Sequence, residues 1–130
     1  MTAQTQLAHR RTAVALGREA EDLAMRYLVS QGLQILARNF RCRRGEIDVA
    51  ALEGDTLVIA EVRTRSSEAY GGAAASIGPR KQRRIALATA HLLRRYPGLA
   101  RRQVRFDVLI VSAMSECPRV EWIRHAFTAS

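Results

Sequence analysis

The chain has 130 residues, 48% hydrophobic and 5% aromatic, enough for one domain with one core and too few for two ordinary ones. It carries 21 Lys plus Arg against 12 Asp plus Glu, a formal net charge of +9, which points to an anionic partner, nucleic acid being the commonest. Two cysteines, far apart and outside any CxxC, argue against a zinc site or a disulfide framework, and no apolar run approaches the ~20 residues of a membrane span.

Residues 1–13 read as a loose tail; they lack the apolar core of a secretory signal, and with the free cysteines they fit a reducing cytoplasm. Residues 14–130 read as a single domain. From Val14 to Gln31 the apolar residues Ala20, Leu23, Ala24, Tyr27 and Leu28 recur at helical spacing, and Gly32 supplies a stop. "LQILARNFRC", "GEIDVAAL" and "TLVIAEVRT" read as three strands, and "SSEAYGGAAASIGP" as a Gly-rich loop. Pro79 opens a second helix that runs to about Tyr96, and Pro97-Gly98 ends it. "VRFDVLIV" and "RVEWIRHAF" are two further strands. The order α-β-β-β-α-β-β predicts an α/β domain, a mixed sheet flanked by helices.

Within the second and third strands lie three acids, Glu46, Asp48 and Glu61, among apolar neighbours. Gly54-Asp55 forms an acceptable two-residue hairpin turn. That turn places Asp48 opposite Glu61 and Glu46 opposite Arg63. Alternation then puts all four on one face, with Ile47, Val49, Val58, Ala60 and Val62 on the other. Opposed side chains have Cβ atoms roughly 5 Å apart, and like charges there destabilise the pair. Two facing carboxylates need a proton, a cation or a metal between them, and hard oxygen ligands suit Mg²⁺ or Mn²⁺. The alternative is an ion-pair ladder, Glu46 with Arg63 and the other acids with neighbouring arginines. Glu21 sits at the border of the first helix's apolar stripe, either leaning toward the sheet or lying on the surface.

The cations cluster. Twenty of the 21 basic residues are Arg, and Lys81 is the only Lys. Lys81 begins the stripe of Ile85, Ala88 and Leu92 in the first turn of the second helix. Arg80, Arg83 and Arg84 surround it, while Arg38, Arg41, Arg43 and Arg44 precede the acids. The two clusters could grip a phosphate backbone on either side of the acids or be plain solvated faces; few aromatics means that base stacking is not indicated. Asp107, in the apolar "RFDV", either lies near the site or is satisfied by arginine or backbone neighbours. His9, His91 and His125 show no metal-ligand spacing.

The stretch from "GREAEDLAMRYLVSQG" through "GEID" and "EVR", then "IGPRKQ" and "RFDV", resembles the YraN family of small bacterial proteins, from Gly17 to about Phe127. The resemblance implies a nuclease related to Holliday junction resolvases, with the restriction-endonuclease-like fold. It implies catalytic or metal-binding roles for Glu21, Asp48 and Glu61, with the Val62 carbonyl as a further ligand of Mg²⁺ or Mn²⁺. Lys81 and Gln82 match a Lys-Gln pair of the second helix. Arg63 stands where the Glu-x-Lys motif has Lys, and an arginine cannot act as a base. Arg63 is then electrostatic, or Lys81 substitutes for it, or the chain binds without cutting. Glu46 is expected to orient Arg63 or a water. Arg41, Arg43, Arg44, Arg80, Lys81, Gln82, Arg83 and Arg84 are the expected nucleic-acid contacts, on DNA in the first instance. A homodimer is also implied. The rival readings are a non-catalytic nucleic-acid binder and a basic protein-interaction module.

Overall fold

The computed structural model describes residues 13–65, 76–112 and 117–128. The expected tail at 1–13 falls almost wholly outside them, as does most of the Gly-rich loop. Helix α1 spans Ala13–Ser30, and strands β1 (Gln34–Cys42), β2 (Gly45–Glu53) and β3 (Thr56–Thr64) follow. Helix α2 spans Pro79–Arg95, and a 3₁₀ turn at Pro97–Leu99 leads to β4 (Gln103–Ser112) and β5 (Arg119–Phe127). The element order is the one the sequence predicts. Gly32 ends α1 with φ 92°, and the Leu33 N–H folds back to the Leu28 carbonyl at 3.0 Å, the backbone reversal for which glycine is the least strained residue.

The five strands form one sheet in sequence order. β1–β2, β2–β3 and β4–β5 are antiparallel, whereas β3–β4 is parallel. Parallel neighbours cannot be joined by a tight turn, and α2 provides the crossover. It packs on one face against Ile47, Ala50, Leu57, Ile59, Val108 and Ile110, through Ile85, Ala88 and Leu92. α1 covers the other face, where Ala20, Ala24 and Leu28 meet Val49, Ala51, Val58, Ala60, Leu109 and Val111. Both faces of the central strands are therefore dry, and each fully buried Leu, Ile or Val contributes roughly 1.5–3 kcal/mol. No helix of the described residues is long and apolar enough to cross a membrane.

The expected turn is present. Gly54 takes φ 58° and Glu53 pairs Thr56. The register follows the prediction as far as Val49–Ala60, where the ladder stops. Here the structure corrects the simple alternation. Ile47 packs with Ala50 under α2, while Val49 packs under α1, so Ile47 and Val49 do not share a face. On β1 the register to β2 shifts between Ile35 and Ala37, and farther on the ladder passes over Asn39 and Asp48, between the pairs Arg38–Val49 and Phe40–Ile47. The skipped residue of β1 is Asn39, held at φ 51°, a left-handed conformation that Asn tolerates better than most residues. Two strands that lose alternation together part from β3, and the acids stand where they part.

Candidate functional site

Asp48 and Glu61 are not a ladder pair; they meet just past the ladder's end. The Val62 N–H, left without a strand partner, donates to Asp48 Oδ2 at 2.9 Å. Glu61 continues the Leu57–Ile59 face of β3 beneath the start of α2 and is 7% exposed. Burial, then the charge of Asp48, push its carboxyl up to about 7; Lys81 and Arg63 pull the other way without cancelling this. Glu61 Oε2 is buried and has no hydrogen-bond partner. An acceptor oxygen left so is costly, and it marks a place where the protein has not completed its own electrostatics.

The cation that enters this gap comes from α2. Lys81 Nζ lies 3.3 Å from Glu46 Oε1 and 3.4 Å from Glu61 Oε1. Burial alone would lower its pKa, but Glu61 and Glu46 more than offset that and raise it, so the ammonium keeps its proton at neutral pH. Glu46 is held by Lys81 and by Arg41, whose Nε is 3.7 Å from Oε2. The expected Glu46–Arg63 ladder pair is absent from the ion pairs of the described residues, because the strands have already separated at that level. Arg63 is half-buried, its Nε has no hydrogen-bond partner, and its charge reaches Glu61.

Gly45, the first residue of "GEID", explains how α2 comes so near. It is buried, and a methyl group in place of its hydrogen would overlap the Arg84 carbonyl. Only glycine permits this approach of helix to strand, and the approach brings Lys81 over the acids. That role is invisible to pattern reading, although a lone Gly at a strand start is its one sequence signal. The half-buried Gln82 donates from its amide to the Ile77 carbonyl at 2.7 Å, which secures the start of the helix. Arg80, Arg83 and Arg84 are exposed on the first turns of α2, and Arg43 and Arg44 are exposed on the β1–β2 turn. Contact between Gly45 and Arg84 joins the two basic clusters into one surface beside the acids.

Glu21 stands apart. Its Oε2 accepts from Asn39 Nδ2 at 3.1 Å and lies 4.0 Å from Arg38, so it reaches β1 at the residue that faces Asp48 across the break. Among the described residues no group of three or more His, Cys, Asp or Glu side chains is arranged to hold a metal ion. Two carboxylates are the number that Mg²⁺ often takes from a protein, with water and substrate phosphate completing its shell. Asp48 and Glu61, whose Oε2 has no hydrogen-bond partner, fit such an ion.

Asp107 resolves the other way. It is fully buried, and both oxygens are satisfied. Oδ1 accepts from Arg105 Nε at 2.9 Å and from the His125 N–H at 3.1 Å, and Oδ2 accepts from Arg105 Nη2 at 2.9 Å and Trp122 Nε1 at 2.8 Å. It ties β4 to β5 at the bulge where His125 takes φ 53°. The "RFDV" motif is thus an internal brace.

Comparison with known proteins agrees with the motifs. The sequence model of the uncharacterised protein family UPF0102, the family of the YraN proteins, matches residues 20–111. A UPF0102 protein of Pseudomonas paraeruginosa is 44% identical over 115 residues, covering 87% of this chain and 92% of its own length. One from Alcanivorax borkumensis is 47% identical over 112 residues, 85% of this chain and 90% of its own. Another, from Methylobacillus flagellatus, is 46% identical over 114 residues, 88% and 97% of the two chains.

Proposed function

The chain belongs to the UPF0102 family, and from that premise we propose that it is a divalent-metal-dependent nuclease with the restriction-endonuclease-like fold. The observation that carries the reading is Glu61 Oε2, buried without a partner next to Asp48. A charge and a hydrogen-bond acceptor left incomplete at the end of a β-ladder, under a basic surface, match a cation and a phosphodiester better than they match a structural brace.

Asp48 and Glu61 would hold Mg²⁺ or Mn²⁺, with the Val62 carbonyl as a further ligand and Glu21 linked through water. The ion would polarise the scissile phosphate and acidify the attacking water. Lys81 carries a positive charge at the pH of the cell and, with Arg63, neutralises charge that builds on the phosphoryl oxygens. Arg63 does this as a fixed guanidinium and takes no proton. Glu46 keeps Lys81 in place, since its Oε1 holds the ammonium that Glu61 also faces. The exposed arginines of the β1–β2 turn and α2 add sequence-independent affinity for the backbone. DNA is the first substrate to test, and a homodimer in the cytoplasm is part of the same proposal.

Asp48→Asn is the deciding variant. The amide oxygen still accepts the Val62 N–H, so the fold is retained by circular dichroism, while Mg²⁺- or Mn²⁺-dependent cleavage of branched and linear DNA disappears. Cleavage at the native rate by that variant would exclude the mechanism. One observation favours a rival, a binder that does not cut: Lys81 Nζ already sits 3.4 Å from Glu61 and could itself be the cation the acids need. Calorimetry separates the two. Mn²⁺ binding by the native protein that Asp48→Asn lacks supports the nuclease, and the absence of any Mn²⁺ binding supports the binder.

A further inference from the structure

Beside the acids runs a groove of about 370 Å³, lined by Cys42, Arg43 and Arg44 on one side and by Leu87, Ala90, His91 and Arg94 of α2 on the other. We propose that it seats one unpaired nucleotide of the strand that enters the acidic site. The inference rests on the nuclease reading for the identity of the strand, and on the groove's own chemistry for the unpaired nucleotide.

Three observations carry it. First, the rim is positive and not neutralised. No acid lines the groove, and Arg43, Arg44 and Arg94 form no ion pair among the described residues, whereas Arg38, Arg41, Arg102 and Arg105 each face a carboxylate. Second, the floor is apolar and open. Leu87 is 37% exposed, next to Ala90 and the half-buried Cys42. The exposed His91 ring stands 5.9 Å from the Phe40 ring, tilted by 41°. A surface that only grips phosphates needs no such floor, because an intact duplex presents its phosphates and keeps its bases stacked inside. A cationic rim over an apolar floor is what an unpaired nucleotide requires, phosphate at the edge and base face below. With few aromatics in the chain, Leu87, Ala90 and His91 would supply the apolar contact for the base.

Third, the groove lies near the acids. Arg44 precedes Gly45 and Glu46 in the chain, and Gly45 rests on the Arg84 carbonyl. Along α2, at 1.5 Å per residue, Leu87 lies about 9 Å and Arg94 about 20 Å from Lys81. A strand crossing the acids reaches the groove within a few nucleotides. The preferred substrate is therefore a strand with an unpaired segment next to the cut, such as a flap, a gap or a junction arm.

The test is binding of a fluorescein-labelled oligonucleotide, followed by anisotropy in EDTA, with the strand offered single or annealed and made as DNA or as RNA. The native protein binds the single strand more tightly than the duplex. Leu87→Ser, neutral and on an exposed position, weakens single-strand binding about tenfold and leaves duplex binding within about twofold. Arg94→Ala weakens both and reduces the single-strand salt slope by about 0.7. Selective loss on either the DNA or the RNA strand supports the groove and names its ligand. With Leu87→Ser, equal loss on single strand and duplex, or no loss on either, overturns it. Because no metal is present, absent cleavage elsewhere would remove the nuclease reading while the selective loss still upheld the groove.

Discussion

Two buried carboxylates on neighbouring strands of one sheet have opposite fates. Asp107 on β4 meets a guanidinium, an indole N–H and a backbone N–H, so each oxygen is matched. Glu61 on β3 has one oxygen without a partner, a second acid at its side and a lysine that only partly compensates. Burial is common to both and so decides nothing. What differs is whether the protein completed the shell itself. A completed shell makes a brace, and an incomplete one makes a place for something from outside.

Asp107→Ala tests the brace most severely. It leaves Arg105, whose side chain is only 13% exposed, with Glu53 as its one acid, and strips the Trp122 and His125 N–H groups of their acceptor. A loss of about 3–5 kcal/mol in urea unfolding is expected, with Mn²⁺ binding by whatever remains folded unaltered.

Glu61→Gln should act in the opposite direction. The folded carboxyl sits at about 7, above the ordinary glutamate value of 4.5. The folded state therefore holds a proton that the unfolded chain releases from pH 4.5 upward. Native stability is lost as pH rises through 7, and the neutral amide escapes that loss. In EDTA the variant should gain up to roughly 3 kcal/mol over the native protein at pH 8 and nothing at pH 4. A pH-independent difference would mean that Glu61 is as well satisfied as Asp107, and the contrast would collapse.

Gly45→Ala probes how α2 delivers Lys81. The added methyl meets the Arg84 carbonyl, so α2 must retreat, at a cost of about 1–3 kcal/mol by thermal unfolding. Retreat carries Lys81 from Glu46 and Glu61, and the pH dependence of stability should steepen. Trp122→Phe sharpens the comparison least. It removes one of several donors to Asp107 and should cost about 1 kcal/mol.

Helix and strand order, the glycine stops and the hairpin turn were all legible in the sequence, because they follow from local rules: helical spacing, alternation, and the backbone freedom of Gly32 and Gly54. The identities of Asp48, Glu61 and Lys81 as a group were legible too, through the turn that set the register and through the family motifs. Their arrangement was not. Ile47 and Val49, two apart in β2, pack on opposite faces, and no alternation rule announces a break that Asn39 in the neighbouring strand shares. Nor does the text distinguish Asp107 from Glu61, since both read as an acid in an apolar strand.

By itself, then, the sequence determined the elements and the residues with chemistry to offer, for these depend on each residue's own backbone preference and charge. Only the tertiary structure decided which acid is satisfied and which is not. The partners of Asp107 come from β4 and β5 and those of Glu61 from β2 and α2. Whether an oxygen finds a donor is a matter of distances set when those elements pack.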